Sequence, residues 1–144
     1  MGKIWKNTTS LDEINKFTKN SIVEKTGICF IEIGDDFLKA SMPVDERTRQ
    51  PLGILHGGAS VVLAETLGSM ASYMILDNNQ HCVGLEIKAN HLKSVSKGLV
   101  FGVVKPVSLS KTNHLWDIII TDEEDQMICV SRLTMMVLKK DGID

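Results

Sequence analysis

The stretch GGASVVLAETLGSMASYMILD, residues 57–77, decides the fold of this chain. Its apolar side chains fall on nearly all sides of a helical wheel, and a helix that is apolar all round is buried. Glu65 and several hydroxyl side chains interrupt the run too often for a membrane span. The stretch therefore predicts one long central helix from Gly57 to about Asp77.

Strand-like segments lie before and after this helix. Near the N-terminus, Ser10 to Glu13 has the form of a capping box and predicts a short helix. Apolar segments rich in β-branched residues predict about six strands, at residues 28–33, 37–42, 82–91, 99–107, 115–121 and 127–138. The short connections between the later strands favour antiparallel pairing. We therefore predict an α+β domain, in which an antiparallel sheet of about six strands wraps around one long central helix.

Length and composition limit the class of protein. The 144 residues fit one domain, residues 1–144. With 16 basic and 18 acidic side chains the formal net charge is −2, which argues against a nucleic-acid binder and leaves no polybasic tail for a membrane. The three cysteines form no C-x-x-C pair, and the four histidines show no metal-binding spacing. We expect a cytoplasmic protein without a metal site, a nucleic-acid partner or a membrane partner.

Glu65 is the most informative polar residue of the predicted helix. The residues three and four positions away are Val61, Val62, Gly68 and Ser69, so no basic side chain on the helix pairs with it. Burying an unpaired carboxylate is costly, and desolvation makes it a stronger base. Two interpretations are open for each residue. Glu65 is either catalytic, or structural and bonded to a neighbouring chain or reaching solvent. Ser69 either holds a water or the Glu65 carboxylate, or is a small residue that allows close packing.

The triplet His56-Gly57-Gly58 begins the predicted helix. The free N–H groups of a first helical turn and the helix dipole favour an anionic oxygen, so this start suits an oxyanion hole for a thioester or ester carbonyl. A flexible helix entry with a solvent-facing His56 gives the same pattern. Gly57 and Glu65 lie about 12 Å apart along the helix axis, so one helix does not easily bring both to one carbonyl. Two antiparallel helices about a two-fold axis do, which predicts a symmetric dimer with two shared sites.

The segment QPLGILHGGASVVLAE, residues 50–65, resembles the hotdog-fold acyl-CoA thioesterases. It is most similar to the 1,4-dihydroxy-2-naphthoyl-CoA thioesterase branch of menaquinone biosynthesis, and is also similar to arylacyl-CoA thioesterases of the phenylacetate and 4-hydroxybenzoate type. Further matching segments are MPVDERTRQ (42–50), VGLEIKANH (83–91) and SRLT (131–134). The resemblance spans about residues 4–138 and implies a hotdog fold.

The resemblance implies roles for five residues around the helix. Glu65 is the catalytic carboxylate, which either attacks the thioester to form a mixed anhydride or activates water as a general base. The Gly57 amide is the oxyanion donor. Gln50 and His56 position the thioester, and Ser69 assists Glu65 or the water.

The resemblance also places five residues where relatives touch coenzyme A: Gly84, His91, Lys93, Ser110 and Lys111. Taken alone, the basic residues of this set are more typical of solvated surface charges. Lys93 stands where close relatives are expected to have arginine, so its phosphate contact is that of a point charge. Coenzyme A is part of the substrate, and no separate cofactor is implied. The family implies a homodimer with two long helices side by side, often paired again into a homotetramer.

These observations favour an enzyme that hydrolyses an aromatic or medium-chain acyl-CoA to the acid and free coenzyme A. One alternative is a hotdog enzyme that acts on acyl-carrier-protein thioesters, either as a thioesterase or as a dehydratase. Another is a non-catalytic module that binds acyl-CoA. Release of free thiol distinguishes hydrolysis from dehydration and from stoichiometric binding.

Overall fold

A computed structural model describes residues 2–140 of the chain. Within this range the α-helices are α1 (Leu11–Phe17), α2 (Ile22–Lys25) and α3 (Gly57–Tyr73). The strands are β1 (Cys29–Ile33), β2 (Leu38–Pro43), β3 (Gln80–His91), β4 (Leu99–Leu109), β5 (Asn113–Thr121) and β6 (Met127–Lys139). Residue 1 and residues 141–144 of the expected domain lie outside the described residues.

All six strands form one antiparallel sheet in the order β1-β2-β4-β5-β6-β3. The predicted sheet of about six antiparallel strands with one long helix is confirmed. β3 lies at one edge and pairs with β6, from Gln80 opposite Lys139 to His91 opposite Cys129. Among residues 2–140, no strand pairs with the other side of β3. This long strand therefore leaves backbone N–H and C=O groups free for another chain.

The helix α3 packs against the sheet through an apolar core. Leu63 and Leu67 of α3 and Trp116 and Leu133 of the sheet are fully buried. Burying one such side chain stabilises the fold by about 1.5–3 kcal/mol. A Cβ at Gly102 of β4 would lie 2.6 Å from the Leu67 side chain, so glycine there allows the close approach of helix and sheet.

The end of α3 differs from the prediction, because the helix stops at Tyr73 rather than near Asp77. The backbone N–H groups of Lys6 and Asn7 donate to the Met74 carbonyl at 3.0 and 2.9 Å. The Asn7 side chain also donates to the carbonyls of Tyr73 and Leu76. The N-terminal segment thus satisfies the carbonyls at the helix end that a further turn would use. No helix among residues 2–140 combines the length and apolarity needed to cross a membrane.

The N-terminal helices follow the sequence in part. The Ser10 hydroxyl accepts from the Glu13 N–H at 3.2 Å, which confirms the cap predicted for α1. The Glu13 carboxylate accepts from the Thr9 hydroxyl at 3.4 Å instead of reaching back to the Ser10 backbone. The helix α2 was not predicted from the sequence, because four residues are too few to show helical periodicity.

A buried polar group connects α3 to β5. His114 is 5% exposed, and its Nδ1 lies 2.9 Å from the Ser72 hydroxyl. The Trp116 indole donates to the same hydroxyl oxygen at 2.7 Å. Burial, with the positive charge of Lys6 as a smaller cause, lowers the pKa of His114 below its ordinary value.

We expect this histidine to make the protein less stable in acid. The unfolded chain binds a proton at His114 near pH 6.5, whereas the folded chain binds it only at lower pH. The free energy of unfolding therefore falls as the pH drops below about 6.5, until the folded pKa is reached. Urea unfolding at several pH values measures this fall, and His114→Gln should make it smaller. An equal fall in wild type and variant would contradict the expectation.

Candidate active site

The start of α3 offers a free backbone donor. The His56 Nδ1 accepts from the Gly58 N–H at 2.7 Å and caps the helix. Within the described chain the Gly57 N–H has no acceptor, as is usual for a first-turn amide. A Cβ at Gly57 would lie 2.9 Å from the His91 Nε2, so glycine leaves room between the amide and the imidazole. This arrangement suits a carbonyl oxygen that gains negative charge.

The loop before α3 is held by its own polar contacts. The Arg47 guanidinium donates to both oxygens of Asp45, at 2.7–3.2 Å, and holds the pKa of that carboxyl at about 2. Thr48 is buried and donates to the Pro43 carbonyl at 2.7 Å. The Gln50 side chain accepts from the Leu52 N–H. These contacts fix the loop that carries Gln50 beside the helix start.

Gln50 and Gly57 share a cavity of about 450 Å³ with His91 and Lys93. We call it the amide cavity. Its described lining consists of Gln50, Ile54, Leu55, Gly57, Ser60, His91, Leu92, Lys93, Ser94 and Ile128. The structure therefore brings two predicted thioester-contacting residues next to two predicted contacts of coenzyme A.

Glu65, Ser69 and Gly84 line a second cavity, of about 750 Å³, which we call the carboxylate cavity. Most of its remaining lining is apolar and includes Ile22, Val23, Val61, Val62, Met70 and Met135. A Cβ at Gly84 would lie 3.8 Å from the Glu65 carboxylate, and the register of β3 shifts between Gly84 and Glu86. The glycine and the bulge keep space open beside the carboxylate.

The Glu65 side chain is exposed in the single chain, so the predicted burial of α3 on all sides does not hold at this position, where a carboxylate reaching solvent was one of the alternatives. The side of α3 that carries Glu65 forms one wall of the carboxylate cavity, whose other walls come from the N-terminal helices and from β3 and β6 of the same chain. Ser69 lies one turn further along this wall, and its hydroxyl is 3.9 Å from the Met135 sulfur.

The two halves of the predicted site lie in different cavities. Among the described residues, the amide and carboxylate cavities share no lining residue. Gly57 and Glu65 are separated by about 12 Å along α3, and Gly84 and His91 by about 23 Å along β3. One chain therefore does not bring its candidate oxyanion donor to its own candidate carboxylate.

The predicted contacts of coenzyme A are also divided. The Lys93 ammonium lies 2.9 Å from the Asp122 carboxylate and also donates to the Gln126 side chain. Asp122 is nearly buried, and its hydrogen bond with Lys93 is the largest cause that lowers its pKa. This pair was not predicted, because Lys93 and Asp122 are far apart in sequence.

Ser110 and Lys111 lie in the turn between β4 and β5. The Ser110 hydroxyl donates to the Asn113 carbonyl and accepts from the Asn113 N–H, both at 3.0 Å. Lys111 is exposed, and neither residue belongs to the described lining of the two cavities.

The described residues give little support for a metal site or a reactive thiol. Within residues 2–140, no group of three or more His, Cys, Asp or Glu side chains is arranged to hold a metal ion. Cys129 is buried, as expected of a core thiol, whereas Cys82 lines the carboxylate cavity. Burial raises the pKa of both thiols, which favours their unreactive protonated form.

Comparison with known proteins identifies the family. Residues 52–129 match the Thioesterase superfamily. The chain belongs to this superfamily. This thioesterase is 49% identical over 135 residues to the 1,4-dihydroxy-2-naphthoyl-CoA hydrolase of Escherichia coli, with 94% of this chain and 99% of the relative covered.

Further relatives agree with this family. The thioesterase is 47% identical over 135 residues to the Proofreading thioesterase EntH of Cronobacter sakazakii, with 94% of this chain and 98% of that protein covered. A crystal structure of a mutant thioesterase from Pseudomonas aeruginosa has a TM-score of 0.93 and 48% identity, covering 95% of this chain and 99% of that one. The hotdog fold is confirmed, and the chain is a thioester hydrolase.

Proposed function

We propose that this thioesterase hydrolyses an aromatic or medium-chain acyl-CoA to the acid and free coenzyme A, with 1,4-dihydroxy-2-naphthoyl-CoA of menaquinone biosynthesis as the leading candidate. The observation that supports this proposal most directly is the position of Glu65. Its carboxylate lies beside Gly84 on the wall of a largely apolar cavity of about 750 Å³. The name of the Escherichia coli relative supports the naphthoyl group. The three cysteines are free thiols, which supports the expectation of a reducing cytoplasm.

The proposed reaction uses the two cavities together. The thioester carbonyl oxygen lies at the Gly57 N–H, where the helix dipole and the amide stabilise the negative charge of the tetrahedral intermediate. Glu65 either attacks the carbonyl carbon and forms a mixed anhydride that water cleaves, or removes a proton from an attacking water. In both routes the carbon–sulfur bond breaks and the thiolate of coenzyme A leaves. Gln50 and His56 orient the thioester, and Ser69 assists Glu65 or the water.

The partner in this proposal is a second copy of the chain. Val83 and Leu85 on the free edge strand β3 are 44% and 58% exposed, although both are apolar. An antiparallel pairing of β3 with β3 of a second copy, centred on Lys88, sets Glu86 opposite the partner's Asn90 and, beyond the register shift between Gly84 and Glu86, sets Gly84 opposite the partner's His91. Because Gly84 borders Glu65 and His91 borders Gly57, this pairing joins the two cavities across a two-fold axis. The assembly is then a homodimer, or a homotetramer made of two such dimers.

The same pairing gathers the proposed contacts of coenzyme A. His91 and Lys93 of one chain come to the side where Gly84 of the other chain lies. Lys93 then attracts phosphate as a point charge while it stays bound to Asp122. Ser110 and Lys111, on an exposed turn, supply a hydroxyl and a further ammonium group.

Charges on the free edge strand should separate the subunits. We expect the double substitution Val83→Lys and Leu85→Lys to give a folded monomer, because both side chains are already exposed in the single chain and pairing would press the two new ammonium groups against the partner's edge strand. Turnover should fall roughly 10²-fold, as after loss of an oxyanion donor. Analytical ultracentrifugation and a thiol-release assay measure the two effects, with the exposed Val107→Lys on β4 as the control. A dimer with full activity, or a fully active wild-type monomer, would rule out this interface.

A substrate panel tests the proposed reaction. The panel contains 1,4-dihydroxy-2-naphthoyl-CoA, benzoyl-CoA, octanoyl-CoA and the same acyl groups on a carrier protein, and the assay follows free thiol and free acid. Release of both from a CoA ester, with the highest kcat/KM for an aromatic or medium-chain group, is the expected result. Faster hydrolysis of the carrier-protein esters would replace the proposed substrate class. Stoichiometric binding without thiol release would contradict the reaction.

A further inference from the structure

A pair of stacked aromatic rings lies at one end of the carboxylate cavity. Phe17 is the last residue of α1 and Tyr73 is the last residue of α3. Their ring centroids are 5.9 Å apart and their planes are inclined by 20°. Both residues line the carboxylate cavity and also a third cavity of about 400 Å³, which we call the vestibule. The aromatic pair is therefore a boundary that the two cavities have in common.

The carboxylate cavity extends along α3 from Glu65 to this pair. Val62, Glu65, Ser69 and Tyr73 all line it and recur at intervals of three and four residues, which places them on one side of the helix. The helix rises about 12 Å from Glu65 to Tyr73. An acyl group whose carbonyl carbon lies at Glu65 and whose tail follows this side of the helix meets the aromatic pair.

The position of Phe17 is fixed by the backbone of α1, not by burial of its ring. Ile14 is buried in the core. The Asn15 side chain donates to the Phe30 carbonyl at 3.0 Å and accepts from the Phe30 N–H at 2.9 Å. Yet the Phe17 and Tyr73 residues are 69% and 55% exposed. Two large apolar rings that are held in place but left uncovered suit an apolar ligand group that packs against them.

We infer that the Phe17–Tyr73 pair is the end wall of the acyl pocket and sets the longest acyl group that this thioesterase accepts. The inference rests on the proposed function. Aromatic and medium-chain groups fill the space between Glu65 and the rings. A longer chain has to pass the rings into the vestibule, whose described lining includes apolar Ile14 and Met74 as well as polar Glu13. Loss of one ring joins the two cavities and gives a long chain an apolar surface on which to lie.

The test compares acyl lengths in ring variants. We expect Phe17→Ala and Tyr73→Ala each to raise the kcat/KM for palmitoyl-CoA, relative to the kcat/KM for benzoyl-CoA, by about tenfold or more. Changes in the size of an apolar pocket alter selectivity on this scale. Tyr73→Phe keeps the ring and should keep the wild-type ratio. Ile31→Ala, which truncates an exposed apolar side chain on β1 outside the three cavities, should keep it too. Calorimetric titration with uncleavable thioether analogues of the same acyl lengths gives a second readout that needs no hydrolysis.

The outcomes separate this inference from the proposed reaction. If the wild type hydrolyses benzoyl-CoA but both alanine variants change the ratio by less than about twofold, the end wall is overturned and the reaction stands. If the wild type hydrolyses no CoA ester, the proposed reaction fails, and the thioether titrations still decide the inference. In that case, the inference of an end wall is overturned if the wild type and both alanine variants bind the same acyl lengths with the same preference. It is also overturned if none of the thioether analogues binds.

Discussion

Glu65→Gln should abolish thioester hydrolysis while the protein stays folded. The amide has nearly the shape of the carboxylate but neither attacks a carbonyl nor accepts a proton from water at neutral pH. We expect kcat to fall by roughly 10³-fold or more, as for removal of a nucleophile or a general base. Single-turnover and steady-state thiol release measure the loss.

Stability is expected to change little in this variant. The Glu65 side chain is exposed, and among residues 2–140 it takes part in no salt bridge. A surface substitution of this kind shifts the free energy of unfolding by about 0.5 kcal/mol or less. Glu32→Gln, an exposed carboxylate on β1, is the matched control and should retain full activity. Retention of more than a few per cent of the wild-type rate in Glu65→Gln would remove Glu65 from the mechanism.

Elements that depend on local pattern were predicted well from the sequence. The six strands lie close to their predicted ranges, because alternation of apolar and polar residues directly reflects the two faces of a sheet. The helix start at Gly57 is marked by the glycine pair, and the helical rise already separated Gly57 from Glu65. The position of Gly57 and Glu65 in two different cavities agrees with that fixed rise.

Features that depend on distant contacts were not predicted. The end of α3 is set by Asn7, 66 residues before the Tyr73 carbonyl in sequence. The Lys93–Asp122 pair joins residues 29 positions apart, and no local pattern marks it. Whether Glu65 is buried stayed open at the level of the sequence, because a helical wheel shows which residues surround a side chain on its own helix, but not which element covers it.

Complementation between two inactive variants should restore activity if the sites are shared. Gly57→Pro removes the one N–H proposed as oxyanion donor, and proline is well tolerated at the first position of a helix. The preceding His56 has φ −70° and ψ 133°, the extended conformation that a following proline requires. We expect Gly57→Pro alone to lose about 10²–10³-fold in kcat. Gly57→Ala is its control, because it adds a Cβ near His91 but keeps the N–H.

A heterodimer of Gly57→Pro and Glu65→Gln chains then contains one site with both substitutions and one with neither. Co-expression with two different affinity tags isolates this species. By symmetry we expect about half of the wild-type activity per dimer, far above either parent homodimer. A site built within a single chain predicts no recovery, because every site then carries one of the two substitutions. The measured activity of the heterodimer thus decides whether the Gly57 amide of one chain serves the Glu65 carboxylate of the other.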